Sequence, residues 1–175
     1  NRSTLDFARR QAGDWFGSRY RPTNLTQQYQ SKELSSGTEL SYEGKLVSLL
    51  IGVENYDSDK WHDLKTPLND IELLERVMSK RYNAEVITML NPTKHELEKK
   101  IHILQNKLKE GDNLLVYFAG HGQRSADGKE GFWILSDGNF DQSTWLKNSW
   151  LKDMISSFEA TNILLVSDSC FSGLL

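Results

Sequence analysis

Three mainly apolar segments of strand length constrain the fold more than any other feature of the sequence. They are Leu46–Val53, Asn113–Ala119 and Asn162–Ser167. Continuous runs of this kind are typical of strands that are buried on both faces, whereas half-exposed strands alternate apolar and polar residues. Glu85–Leu90 is predicted as a further strand, and Phe132–Leu135 as a short extended piece after a glycine-containing turn. The pattern therefore predicts a buried, parallel sheet.

Segments with helical periodicity separate these strands. Leu68–Ser79 has apolar residues at the spacing of one helix face. A second helix is predicted to begin at Thr93, which can form a capping box with Glu96, and to run to about Lys109. Trp145–Phe158 is predicted as a third helix. Strands that alternate with helices of this length indicate an α/β fold with a mostly parallel sheet and helices on both faces.

The composition changes near residue 45. Residues 1–44 are rich in Ser, Thr, Gln and Arg without clear periodicity, and we interpret them as an N-terminal extension or linker. Within this extension, Asp14–Tyr20 is an aromatic island that could dock on another surface or pack back on the main domain. The alternating pattern fills residues 45–175, which we predict to be one domain.

Charge and composition exclude several classes of protein. The chain has 21 Lys and Arg against 24 Asp and Glu, a net charge of −3, which disfavours a nucleic-acid binder. No stretch approaches the roughly 20 apolar residues that a membrane span needs. The single cysteine, Cys170, excludes an internal disulfide and a cysteine-based zinc site. A lone cysteine suits a reducing compartment, so we expect a cytoplasmic protein.

Reactive side chains follow two of the buried strands. His121 lies between Gly120 and Gly122 directly after the third strand, and Cys170 lies in the DSCFSG segment after the last strand. Because the carboxyl ends of parallel strands meet at one sheet edge, both side chains can converge there. A thiol beside an imidazole is the arrangement for nucleophilic catalysis. The alternative is a buried structural cysteine and an unrelated loop histidine.

Other chemistries have weaker support in the sequence. His95-Glu96 lacks the second histidine of a zinc-protease helix, and the serines of DSCFSG do not form a serine-hydrolase elbow. Asp57, Asp59 and Asp63 lack the glycine and the closing glutamate of a calcium loop. We therefore expect no metal and no cofactor.

Four segments together resemble the caspase-like cysteine peptidases. They are LVSLLIGVENY, LKTPLND, YFAGHG and DSCFSG, in this order, and they cover roughly residues 45–175. Cys170 follows His121 by 49 residues, and the caspase histidine lies about 50 residues before its cysteine. The Asp168-Ser169-Cys170 motif is similar to those of metacaspases and paracaspases, although Phe171 stands where metacaspases usually have His.

The resemblance implies roles for five positions. His121 and Cys170 would form a catalytic dyad, and the N–H groups of Gly122 and Cys170 an oxyanion hole. Asp70 and Asp168 match acidic positions of the paracaspase specificity pocket, which would favour Arg over Lys before the scissile bond. In the alternative interpretation, neither residue belongs to a pocket. Asp70 is then a carboxylate at the start of a helix, and Asp168 is a turn residue.

The resemblance also implies an architecture and a function. The fold would be the caspase-like three-layer sandwich, in which a small-subunit-like C-terminal segment adds further strands. The function would be that of a cysteine endopeptidase that cleaves protein or peptide substrates after basic residues in a cell-death, immune or stress pathway. Some metacaspases need calcium, but no clear motif for it is present. The alternative is a catalytically silent caspase-like scaffold or interaction module.

Overall fold

Four parallel strands form the centre of residues 44–169, the part of the chain that the computed structural model describes. The strands are β1 (Leu46–Gly52), β2 (Glu85–Leu90), β3 (Asn113–Ala119) and β7 (Asn162–Asp168). Their order across the sheet is β2-β1-β3-β7. All four were predicted to within one residue of these bounds. The predicted extension, together with the aromatic island Asp14–Tyr20, lies outside the described residues, so the domain boundary near residue 45 stays a prediction.

Helices cover both faces of this sheet, as predicted. Helix α1 (Pro67–Tyr82) packs on one face, where a Cβ on Gly52 would meet the Ile71 side chain at 2.7 Å. Helices α2 (Lys94–Lys107) and α3 (Asn148–Ser156) pack on the other face. Their buried residues share a core with Val47, Leu49 and Ile51 of β1. Alternate residues of a strand point to opposite faces, so β1 serves both layers of helices. The three-layer α/β sandwich is confirmed.

Local sequence signals set the ends of two helices. The capping box predicted at the start of α2 is confirmed: Thr93 Oγ1 accepts from the Glu96 N–H, and the Glu96 carboxylate accepts from the Thr93 N–H. Helix α1 begins with Pro67, whose missing N–H costs nothing in the first turn. It ends before Asn83, which takes a left-handed conformation with φ of 49°.

The third helix is shorter than predicted. The sequence suggested Trp145–Phe158, whereas α3 covers Asn148–Ser156. Leu146 and Lys147 form a short strand, β6, that pairs with β5. This strand belongs to a small antiparallel sheet of β4 (Gly122–Arg124), β5 (Gly131–Trp133) and β6. Residues 132 and 133 of the extended piece predicted at 132–135 belong to β5. Strand pairing overrides the predicted helix at Leu146 and Lys147.

The predicted pairing of two strands bears directly on the site. β3 and β7 are adjacent and parallel, as predicted, and their register places Ala119 opposite Asp168. The Gly120 N–H also donates to the Asp168 carbonyl at 3.4 Å. The chain therefore leaves β3 towards His121 and leaves β7 after Asp168 at the same edge of the sheet. Among residues 44–169, no helix is long and apolar enough to cross a membrane.

Candidate active site

A tyrosine holds the backbone of His121 in place. The Tyr56 hydroxyl accepts a hydrogen bond from the His121 N–H at 2.8 Å and donates one to the Val53 carbonyl at 3.3 Å. Gly120 makes this approach possible, since a Cβ there would lie 3.2 Å from the Tyr56 oxygen and 2.9 Å from the Phe118 ring. The hydroxyl thus joins the backbone after β1 to His121, which lies 65 positions after Tyr56 in the chain.

The imidazole of His121 is oriented by a backbone carbonyl. Its Nε2 lies 2.8 Å from the carbonyl oxygen of His62. A carbonyl oxygen only accepts, so this contact places a proton on Nε2, and in the neutral ring Nδ1 is then the acceptor. The rings of Tyr56 and Trp61 flank the imidazole, with centroids 4.9 and 5.6 Å away. This tautomer is the one that a general base acting through Nδ1 requires.

The loop that supplies the His62 carbonyl is fixed at several points. The side-chain oxygen of Asn91 accepts from the N–H groups of Glu54 and Asn55 at 2.7 and 3.0 Å. The Leu64 N–H donates to the Glu54 carbonyl at 2.8 Å, and the Tyr56 N–H to the Asp63 carboxylate at 3.0 Å. These bonds give residues 54–64 a defined shape next to the imidazole.

The N–H of Gly122 points away from the neighbouring strand, β5. The Ile134 N–H donates to the His121 carbonyl at 3.0 Å, which makes His121 and Ile134 a hydrogen-bonded pair. Bonded and non-bonded pairs alternate along an antiparallel ladder, so Gly122 and Trp133 form a non-bonded pair. The Gly122 N–H is therefore not directed at β5, which suits the oxyanion donor implied by the resemblance.

Asp70, Asp168 and Tyr117 are close enough to interact electrostatically. The Tyr117 hydroxyl donates to the Asp168 carboxylate at 3.3 Å. Burial raises the pKa of Asp70, and the negative charge of Asp168 raises it further. Burial and then the charges of Asp168 and Asp70 raise the pKa of Tyr117. Asp70 also lies in the first turn of α1, so its interpretation as a helix-start carboxylate holds beside the pocket interpretation.

A hydroxyl chain stabilises the end of β7. Trp133 is 1% exposed, and its ring stacks on Phe118 at 4.3 Å. Its indole N–H donates to the Ser167 hydroxyl at 3.0 Å, and this hydroxyl lies 2.8 Å from that of Ser169. The chain fixes the residues on both sides of Asp168.

Cys170 lies outside the described residues, as does Phe171. The distance from sulfur to imidazole and the N–H of Cys170 as an oxyanion donor therefore stay predictions. The residues predicted from the sequence that are described, namely His121, Gly122, Asp70 and Asp168, lie at or near the carboxyl edge of the sheet. Within residues 44–169, no group of three or more His, Cys, Asp and Glu could hold a metal ion.

Three contributors to the site were missing from the sequence-based predictions. Tyr56 and Tyr117 were quoted only as letters of longer motifs, and the His62 carbonyl was not considered as a third partner of the dyad. Tyr56 had a possible signal, because a polar aromatic residue follows the first buried strand by three positions. A backbone carbonyl has no signature in residue type, so His62 could not have been found in this way.

For the peptide hydrolysis that the sequence predicts, replacement of Tyr56 by phenylalanine is expected to lower kcat about tenfold without changing KM. The change leaves the His121 N–H without its acceptor and loosens the imidazole. Burial raises the pKa of Tyr56 to about 12, so the phenol is neutral at working pH and the pH profile should keep its shape. Steady-state kinetics across pH would measure both quantities. The matched control is Tyr82→Phe, at a position 61% exposed; an equal loss there would contradict a positioning role.

Comparison with known proteins identifies the family of this chain. The caspase domain family matches residues 45–174, which is most of the chain. The chain therefore belongs to the caspase domain family, whose peptidases are of the cysteine type. No protein with a curated description is significantly similar in sequence.

Two solved structures show the same fold. A Geobacter sulfurreducens protein from a structural genomics programme is 25% identical, with a TM-score of 0.59 over 72% of this chain and 50% of its own. Caspase-1 from Spodoptera frugiperda is 15% identical, with a TM-score of 0.50 over 71% of this chain and 47% of its own. At that identity, the second likeness shows the fold alone. The chain spans about half the length of each structure.

Proposed function

We propose that this chain provides the catalytic dyad and the main specificity pocket of a cysteine endopeptidase that cleaves after Arg and, less well, after Lys. The supporting observation is the paired carboxylates of Asp70 and Asp168 at the sheet edge that bears an oriented His121. A histidine alone would suit many hydrolases. A negative pocket beside it selects a basic side chain next to the reacting carbonyl.

The proposed reaction begins with proton transfer from the Cys170 thiol to His121 Nδ1. The thiolate attacks the substrate carbonyl carbon, and the N–H groups of Gly122 and Cys170 stabilise the resulting oxyanion. His121 then donates its proton to the leaving amine as the C–N bond breaks, which forms a thioester on Cys170. Water, deprotonated by His121, hydrolyses the thioester and restores the thiol. The His62 carbonyl stabilises the imidazolium that forms in each half of the reaction.

The proposed specificity follows from charge. With Asp168 ionised, Asp70 is harder to ionise, and an arginine side chain between them would relieve this repulsion. Its planar guanidinium can bind a carboxylate through two parallel hydrogen bonds, whereas lysine offers a point charge. A substrate aspartate would add a third negative charge.

A further part of the cleft is proposed to come from a segment beyond this chain. Among the described residues, β7 pairs only with β3, and Leu164 on β7 is 61% exposed. An open strand edge with an exposed leucine suits another strand. By family membership, this would be a small-subunit-like segment. A cytoplasmic protease of a cell-death, immune or stress pathway is the setting that we propose for the complete protein.

A peptide library that varies the residue before the scissile bond tests the proposed function. We expect cleavage after Arg to exceed cleavage after Lys, with none after Asp. The full-length protein is the enzyme to use, and alkylation of its thiol should abolish turnover. Efficient cleavage after Asp would contradict the acidic pocket. Absence of turnover of every peptide by folded protein would instead favour a catalytically silent scaffold.

A further inference from the structure

A lysine lies among three aromatic rings close to His121. The Lys60 ammonium is 4.2 Å from the centroid of Trp145, 5.0 Å from that of Trp61 and 5.3 Å from that of Phe140. Phe140 is 76% exposed, which is unusual for a phenylalanine. We call Lys60, Trp61, Phe140 and Trp145 the Lys60 cluster. It presents a positive charge beside an accessible apolar ring.

The charge of Lys60 has no carboxylate partner in residues 44–169. The ion pairs in this part of the chain involve other lysines and an arginine. The faces of aromatic rings attract an ammonium group, but they do not accept its hydrogen bonds as a carboxylate does. A ligand with a carboxylate could therefore add charge-assisted hydrogen bonds to contacts that already hold the ammonium in place.

Both loops that form the Lys60 cluster are fixed before a ligand arrives. The Asp57 N–H donates to the Ser136 carbonyl at 2.9 Å, which joins one loop to the other. The Trp145 indole N–H donates to the Asn139 carbonyl at 2.8 Å, and the Asn139 N–H to the Thr144 hydroxyl at 3.0 Å. A site held in this way loses little conformational entropy on binding.

Trp61 connects the Lys60 cluster to the candidate active site. Its ring lies 5.6 Å from that of His121 and 5.6 Å from that of Trp145, measured between centroids. The cluster is also near the Nε2 side of the imidazole, since the His62 carbonyl follows Lys60 by two residues. A histidine that protonates the leaving amine must face the part of the substrate that follows the scissile bond. That part of the substrate meets the imidazole at Nδ1, and the Lys60 cluster adjoins the same imidazole through the ring of Trp61.

We propose that the Lys60 cluster is a subsite for an acidic side chain in the first two residues after the scissile bond. This proposal rests on the proposed function and extends it. The enzyme would then recognise a dipolar sequence, with a basic residue before the cleaved bond and an acidic one after it. The Phe140 ring would contact the methylene groups of that acidic side chain.

Matched peptides test this subsite. Internally quenched peptides with Arg before the scissile bond would have either Glu or Gln at the first or second following position. We expect kcat/KM to be about threefold higher for Glu than for Gln at one of these positions, the size typical of a partly exposed ion pair. Added salt should reduce the difference. Lys60→Gln should abolish it, and Lys60→Arg should retain it.

The control variant is Lys65→Gln, at an exposed lysine that no aromatic ring contacts in the same loop. It should leave the preference for Glu unchanged. Equal rates for Glu and Gln at both positions would overturn the subsite while leaving Arg specificity intact. Loss of the preference in Lys65→Gln as well would also overturn it, because general charge would then be its cause. Failure to cleave every Arg peptide would overturn the proposed function and the subsite with it.

Discussion

Full-length protein with His121 or Cys170 replaced by alanine is expected to hydrolyse Arg peptides at least about 10⁴-fold more slowly than the wild type. Each replacement removes a group that takes part directly in the reaction, either the nucleophile or the general base. Rate losses of this size follow the removal of such groups in other hydrolases. The loop that contains His62 is held by hydrogen bonds of its own, so removal of the imidazole should leave the loop unchanged. Single-turnover kinetics would measure the change in the chemical step.

The two variants should fail in different ways. In His121→Ala, the thiol remains and should react with iodoacetamide, but more slowly at neutral pH because the base that forms the thiolate is missing. In Cys170→Ala, the only thiol within residues 1–175 is removed. His102→Ala is a suitable control, since this exposed histidine lies on α2. Near wild-type turnover in either active-site variant would contradict the dyad.

Replacement of Asp70 or Asp168 by asparagine is expected to lower kcat/KM for Arg peptides about tenfold or more. Each change removes a carboxylate that can form charge-assisted hydrogen bonds to the guanidinium, worth roughly 1.5–3 kcal/mol. The double variant should lose the preference for Arg over uncharged residues. Kinetics with Arg, Lys and citrulline peptides would separate charge from shape.

The pH dependence offers an independent test of the same pocket. Burial and the charge of Asp168 raise the pKa of Asp70, so Asp70 becomes ionised at higher pH than an ordinary aspartate. The ionised form binds the guanidinium, so kcat/KM for Arg peptides should rise as the pH rises through this pKa. The step should be absent in Asp70→Asn and should move to lower pH in Asp168→Asn.

The control for the pocket is Asp59→Asn, because Asp59 is an exposed carboxylate in the loop between β1 and α1. This variant should keep both the Arg preference and the pH step. An unchanged Arg preference in Asp70→Asn and in Asp168→Asn would contradict the pocket while leaving the dyad in place.

Residue patterns predicted the parts of the molecule that depend on local sequence or on burial. The apolar segments identified the parallel strands, because a strand that is covered on both faces has apolar residues at almost every position. Thr93 and Glu96 identified the start of α2 because capping is local. His121 was found because strand ends in parallel sheets meet at one edge. The sequence could not reveal that Leu146 pairs with Trp133, since that depends on residues in different segments.

The contacts around the imidazole show a second limit of sequence-based prediction. The Tyr56 hydroxyl reaches a residue 65 positions away, and the His62 contribution comes from the backbone. No regular spacing in the sequence indicates either of these two contacts. The pairing of β3 and β7 was predicted, but its register was not. The position of Asp168 opposite Ala119 and its hydrogen bond from Tyr117 both depend on that register.

The bonds from Asn91 to the loop after β1 have a consequence for control of the enzyme. Asn91 takes a left-handed conformation with φ of 49°, which asparagine tolerates better than most residues. Its side-chain oxygen accepts hydrogen bonds from two N–H groups at the start of the loop. His62, later in the same loop, orients the imidazole. A loop held at its start in this way is poorly suited to act as a gate, because opening it would break several hydrogen bonds at once. We therefore expect an activating signal to act on the segments that complete the cleft, while this loop stays unchanged between the resting and active enzyme.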